Sequence, residues 1–300
     1  MLCGRNIRQI FCAFTLAVMF PVVGGIIASG QETASPITSP GEIKVRYEIR
    51  RGFRKSRPSI ATGTGLRSVE TIIEQLNRQV ALSFDINVFF FECEEDEAYY
   101  DKSSREIAIC YQKIERFYHL FARHLRGERA IAEATKGATV SLFLHELAHA
   151  LIDAWELPVT GNEEDAADQF AMLLMLNGLN GGERMALNGA LTFRLYAEAD
   201  KRLKKLYWDS HSLDEQRYYN TMCLIYGHKP DAYEYLLNNG TLPIQRAIQC
   251  EDDYPRLKAS WQKLLYPYAK RPASQFVIAW DESSTSPENR TKHRVSPSSL

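Results

Sequence analysis

The sequence has almost no net charge: 36 Lys and Arg stand against 37 Asp and Glu, a formal charge of −1. Such a balance exerts no global pull on a polyanion, so nucleic-acid binding by bulk charge is excluded and partners must be argued from sites. No internal repeat runs along the chain, and no Leu-x-x-Cys lipobox precedes any cysteine. Cysteine is scarce, with six in 300 residues. Disorder is excluded for most of the chain by an apolar content of 45% with 24% charged residues, enough to bury one large core or two modest ones.

What is present begins with a distinct first thirty residues. Arg5 and Arg8 precede a nearly uncharged apolar run from Ile10 to Ala28, followed by the small residues Ser29 and Gly30. This is the layout of an export leader over 1–30, with an uncleaved membrane anchor as the alternative. Residues 31–42 are polar and proline-bearing and read as a linker. Cys3 and Cys12 leave with a cleaved leader, and Cys93, Cys110, Cys223 and Cys250 remain, an even number bound for an oxidising compartment. Four cysteines allow three pairings. The local one, Cys93 with Cys110 and Cys223 with Cys250, is expected because each pair flanks a compact stretch.

From Ile43 the pattern becomes structural. Val45, Tyr47 and Ile49 alternate with charged residues as in a half-buried strand. Leu66, Val69, Ile72, Ile73, Leu76 and Val80 recur at helical spacing over 65–81. Two β-rich runs, Phe84–Cys93 and Ile107–Tyr111, flank an acidic stretch and predict an antiparallel pair joined by a long loop. After Gln112 helical periodicity predominates, with helices predicted over 112–126, 130–155, 162–178, 184–206, 213–226, 230–238 and 252–265. From Arg271 onward Ser, Pro and charge accumulate without periodicity, which predicts an unstructured tail over 271–300. The expected fold is α+β and mainly helical, one domain over 43–270 with a small antiparallel sheet in its N-terminal half.

The chemistry-bearing motif is His145-Glu146-x-x-His149, set among Leu142, Leu144, Leu147 and Leu151. Two histidines four apart on a helix present both imidazoles on one face and can chelate one ion, while a glutamate offset by about 100° reaches a metal-bound water as general base. A catalytic zinc needs a third protein ligand and an open position. The metzincin solution is missing, because Ile152 and Trp155 stand where its glycine and third histidine would be. A second helix, expected to be capped by Asn162, carries Glu163 and Glu164 instead. Glu164 shares a stripe with Ala167, Asp168 and Ala171, so Glu164 is the expected third ligand and Glu163 points elsewhere. Asp168, one turn on, is positioned to accept the second ring N–H of a ligating histidine. His211 and Arg217, where a loop enters a helix, are candidates to steady a developing oxyanion or bind a substrate carboxylate; helix capping and structural hydrogen bonds are the alternative.

His145-Glu146-x-x-His149 followed by Glu164-x-x-Ala167-Asp168 resembles the gluzincin arrangement, in which a glutamate of a second helix completes a zinc site. More specifically, E-I-A-I-C-Y at 106–111, H-E-L-A-H-A-L-I-D at 145–153, E-E-D-A-A-D-Q-F-A at 163–171 and W-D-S-H-S-L-D-E-Q-R at 208–217 resemble a domain-of-unknown-function family of metallopeptidases, over about Cys93 to Tyr268. The resemblance implies a secreted bacterial protein with a zincin-like zinc peptidase fold, acting on peptides or proteins, and names no substrate. The expected function is therefore zinc-dependent peptide hydrolysis by an exported enzyme. The alternative from another class is a non-catalytic zincin-like module that binds metal or a protein partner; retention of Glu146 argues for the enzyme.

Overall fold

The computed structural model describes residues 41–48, 65–94, 97–199 and 205–270. The expected leader, nearly all of the linker, Ile49 and the expected tail lie outside the described residues. Among the described residues the fold is α+β: seven longer helices and a four-stranded sheet, with two single-turn helices at Pro230–Tyr233 and Tyr235–Asn238 and a 3-10 turn at Tyr266–Tyr268.

The sheet is built from β1 (Ile43–Tyr47), β2 (Ile86–Phe91), β3 (Ala98–Asp101) and β4 (Glu106–Cys110), in the order β1-β2-β4-β3. It is mixed, which corrects the expected antiparallel sheet: β1 with β2 and β2 with β4 are parallel, and only β3 with β4 is antiparallel. The reason lies in the acidic stretch. Tyr99 and Tyr100 form a short strand there, and Asp101 accepts from the backbone N–H and hydroxyl of Ser103 in a turn that Arg105 completes at a φ of 58°. The chain thus passes beyond the position of β4, turns, and re-enters beside β2 in parallel. The central strands carry the core. Ile86, Val88 and Phe90 of β2 and Ile107 and Ile109 of β4 are fully buried.

Helix α1 (Arg67–Gln79) buries Val69, Ile72, Ile73 and Leu76, the periodic positions expected of it. Helix α2 (Tyr111–His124) follows β4 directly. Helix α3 (Glu128–Ala154) is buried on most of its circumference and packs against α2, β3, β4 and two later helices, α4 (Glu163–Gly178) and α5 (Gly182–Ala199). A helix so enclosed must satisfy its polar groups internally. Thr135 and Thr139 do so by donating their hydroxyls to the carbonyls of Ile131 and Thr135 at 2.8 Å. Its C-terminus is docked by Trp155, which stacks on Tyr268 at 4.5 Å and donates its indole N–H to the Ala81 carbonyl.

Helices α6 (Asp214–His228) and α7 (Ile244–Leu265) complete the helical half. The last helix starts two turns before the predicted residue 252, because Ala247, Cys250 and Tyr254 are buried against α6. Cys93 is joined to Cys110 and Cys223 to Cys250, the pairing expected from their spacing. The first disulfide ties the end of β2 to the end of β4, and the second ties α6 to α7.

Candidate metal centre

Helix α3 presents His145 and His149 on one face, with Glu146 buried beside them. Helix α4 faces them. Its N-cap is Asn162, whose side chain accepts from the Glu164 backbone N–H at 2.9 Å, as the sequence leads one to expect. Glu164 Oε2 then lies 3.1 Å from His145 Nε2 and 3.3 Å from His149 Nε2, and the two Nε2 atoms are 3.3 Å apart. The loop before α6 adds His211, whose Nε2 is 3.0 Å from the same carboxylate oxygen. Ligand atoms of His145, Glu164 and His211 all lie within 4.8 Å of one another.

The outer nitrogen of each ring faces a carboxylate. His145 Nδ1 is 2.9 Å from Asp168 Oδ1, His149 Nδ1 is 2.7 Å from Glu163 Oε1, and His211 Nδ1 is 3.3 Å from Asp209 Oδ1. Donation from Nδ1 leaves a lone pair on Nε2 of a neutral imidazole. Glu164 Oε2 lies 3.0–3.3 Å from three such nitrogens, and those of His145 and His149 lie 3.3 Å apart, so these atoms repel unless protons or a cation lie among them. Tetrahedral ligands on bonds of about 2.0–2.1 Å stand about 3.3–3.4 Å apart, so the His145, His149 and Glu164 donors fit a small divalent transition cation, with His211 beside the same carboxylate oxygen. Glu163, expected to point elsewhere, does leave the cluster but reaches around to His149. Asp209, read from the sequence as a helix-cap candidate, instead faces the histidine two residues on, and the helix is capped at Leu213.

Arg217 stands behind this arrangement. Its Nε and Nη2 donate to the two oxygens of Asp168, each at 2.8 Å, and its guanidinium lies 4.2 Å from the centre of the Phe193 ring. Arg217, Asp168 and His145 thus form one chain from the protein interior to the cluster. The candidates of the sequence converge: His145, Glu146, His149, Glu164, Asp168, His211 and Arg217 occupy contiguous space.

The electrostatics follow from burial opposed by partners. Burial works against charge on His145, yet Asp168 and Glu164 outweigh it and raise the imidazolium to about 9. His149 is raised in the same way by Glu164 and Glu163. Burial also opposes ionisation of Glu164 and Asp168, but the three imidazoles around the first and Arg217 with His145 around the second hold both far below the usual carboxylate range. Glu146 is raised, chiefly by burial. The field that favours protons on these rings equally favours a divalent cation between them, and binding one would release the protons.

A cleft of about 610 Å³ opens onto the cluster, lined by Tyr99, Tyr100, Glu146, His149, Glu164 and His211 among others. Strand β3 forms one wall as the edge of the sheet, anchored to α3 by Tyr100, whose hydroxyl donates to Asp153 at 2.9 Å. A smaller cavity of about 270 Å³ also borders His145, Glu146 and His211, lined by Phe117, Leu142 and Phe193 together with Asp168 and Arg217.

No curated protein and no solved structure matches the chain. A family model described as "Putative metallopeptidase" matches residues 63–265, which takes in both metal-facing helices, the His211 loop, Arg217 and both disulfides. With more than half of the chain matched, the protein belongs to this metallopeptidase family.

Proposed function

We propose that the chain is a zinc-dependent peptidase in which His145, His149 and Glu164 hold the metal and Glu146 is the general base. The observation that carries this reading is the meeting of His145 Nε2, His149 Nε2 and Glu164 Oε2 at 3.1–3.3 Å, next to buried Glu146 and at the wall of an open cleft. Zinc bound there would supply Lewis acidity, polarising a carbonyl and lowering the pKa of water toward about 7. The chain's own residues supply the proton transfers and the positioning. Glu146 takes the proton of the attacking water on a carboxylate oxygen and passes it to the leaving amine nitrogen. Asp168 and Glu163 hold their histidines in the tautomer that points Nε2 inward.

Strand β3 supports a peptide or protein substrate over a compact metabolite. Its outer edge is unpaired among the described residues and borders the cleft, so an extended segment can add to it through backbone hydrogen bonds. Strands β2 and β4 are interior and offer no such edge. Two disulfides support an exported protein in an oxidising compartment, and no described helix is long and apolar enough to cross a membrane.

A second reading rests on His211. A fourth donor at 3.0 Å from Glu164 is what a closed, non-catalytic metal site would have. Metal analysis of the purified chain with a peptide-library digest separates the two. One zinc per chain and cleavage are expected, with Glu146→Gln keeping its zinc but losing about 10² to 10⁴ in rate, the worth of a general base. A zinc-loaded protein that leaves a broad library uncut would favour the binding module.

A further inference from the structure

His211 differs from the other three donors of the cluster in how it is held. His145 and His149 belong to a long buried helix and Glu164 to the first turn of another, whereas His211 belongs to the loop that precedes α6. Side-chain exposure follows the same order: 6% for His145, 14% for His149, 19% for Glu164 and 44% for His211. Exposed as it is, the ring is aimed. Its plane lies within 21° of that of His145 at a centroid distance of 5.9 Å, and its Nε2 points at Glu164.

The loop has no freedom to place the ring at random. Asp209 accepts from the backbone N–H of His211 at 2.9 Å and faces its Nδ1 at 3.3 Å; donation from Nδ1 there leaves Nε2 as the inward lone pair when a cation takes the place of its proton. Two tethers then bind the loop to the first turn of α4. Asn162 donates its amide to the Ser210 carbonyl, and Ser212 donates its hydroxyl to Asp165, both at 2.7 Å. Asn162 and Asp165 flank Glu164 in sequence, so the carboxylate and the imidazole are registered on one another by a common support. A histidine that served substrate alone would need no such registration to a metal-facing carboxylate.

We propose that His211 is a fourth, displaceable ligand of the bound metal: the resting site is closed by four protein donors, and an incoming substrate or water takes the position of the one donor that is exposed and carried by a loop. This rests on the reading that the cluster binds zinc. It also reconciles a closed geometry with catalysis, since a catalytic site needs its fourth position open only when substrate is present.

X-ray absorption on the zinc-loaded full chain counts the imidazoles directly. Three are expected in the wild type and two in His211→Ala, with zinc affinity at least tenfold lower in the variant. His211→Cys, loaded with cobalt(II), should gain the near-ultraviolet thiolate-to-metal charge-transfer absorption that only a direct sulfur–metal bond produces; this second variant guards against a structural loss in the first. Two imidazoles in both wild type and His211→Ala, with equal affinity and no charge-transfer band in His211→Cys, would overturn the proposal and leave His211 as a group that touches only substrate. A wild-type chain that takes up neither zinc nor cobalt would instead remove the metal reading itself, and this proposal with it.

Discussion

Asp168 divides its two oxygens between a histidine that faces the cluster and a buried arginine. Oδ1 serves both His145 and Arg217, and Oδ2 is held by Arg217 alone. Both ends of the Asp168–Arg217 pair are largely shielded, at 16% and 15% exposure, so removing one charge strands the other. Asp168→Asn should therefore act twice. Zinc affinity should fall by about 10- to 100-fold, because the ring loses its charged acceptor, and unfolding free energy should fall by about 3 kcal/mol, because the guanidinium stays buried without its partner. Titration with a metal indicator and urea unfolding of the apo protein measure the two separately. Unchanged affinity would mean that Asp168 does not tune His145. Glu163 is the contrast, since half of its side chain is exposed and water can replace it; Glu163→Gln should cost less affinity than Asp168→Asn. The sequence pointed to Asp168 through helical spacing alone, whereas Arg217 as its partner comes from a helix 49 residues away, a separation that spacing cannot bridge.

Helix α3 can hold its histidines steady because α5 comes unusually close. A Cβ built on Gly137 would stand 2.6 Å from the Cβ of Asn188 and 3.1 Å from the Met185 carbonyl, and one on Gly189 would stand 2.9 Å from the Ser141 hydroxyl. Two glycines facing across one interface bring the backbones together. By helix propensity alone Gly137→Ala should add about 1 kcal/mol of stability, yet overpacking costs about 1–3 kcal/mol when neither backbone can yield. The expected outcome is net destabilisation in chemical unfolding; a more stable variant would show that the helices separate freely. The α6–α7 pair is held in a different way. The Cys223–Cys250 disulfide closes a separation of 27 residues and Cys93–Cys110 one of 17, so restriction of the unfolded chain predicts about 3.5 and about 3 kcal/mol respectively. Non-reducing peptide mapping should recover these two links, and recovery of four free thiols from native material would overturn the pairing.

The site lies where three bodies of the fold meet: the long central helix, the edge of the sheet and the helical half that delivers His211 and Arg217. A cation bound there clamps α3, the first turn of α4 and the loop before α6, and only the folded chain assembles these donors. Chelation should therefore lower the stability of the whole molecule. At metal concentrations a thousandfold above the dissociation constant, linkage gives about 4 kcal/mol, which for a chain of this size is a shift in melting temperature on the order of 10 °C. Calorimetry of the zinc-loaded protein with and without chelator checks this. Coincident melts, with the metal shown to be gone, would mean that the cluster contributes nothing when filled.

What the sequence determined by itself is local. Periodicity at i, i+4 brought His145 and His149 to one face, Asn162 to the cap of α4 and Glu164 with Asp168 to a common stripe, since helical geometry repeats every few residues and needs no partner to be read. The disulfide pairing was legible because each loop is short. Tertiary structure alone decided the sheet, where a four-residue strand hidden in polar sequence reversed the relation of β2 to β4 and became the edge along the cleft. It also decided the surroundings of the cluster: Arg217 behind Asp168, Glu163 behind His149 and His211 over Glu164. These contacts join elements far apart in the chain, and their distances are set by how helices and loops pack, which no local pattern records.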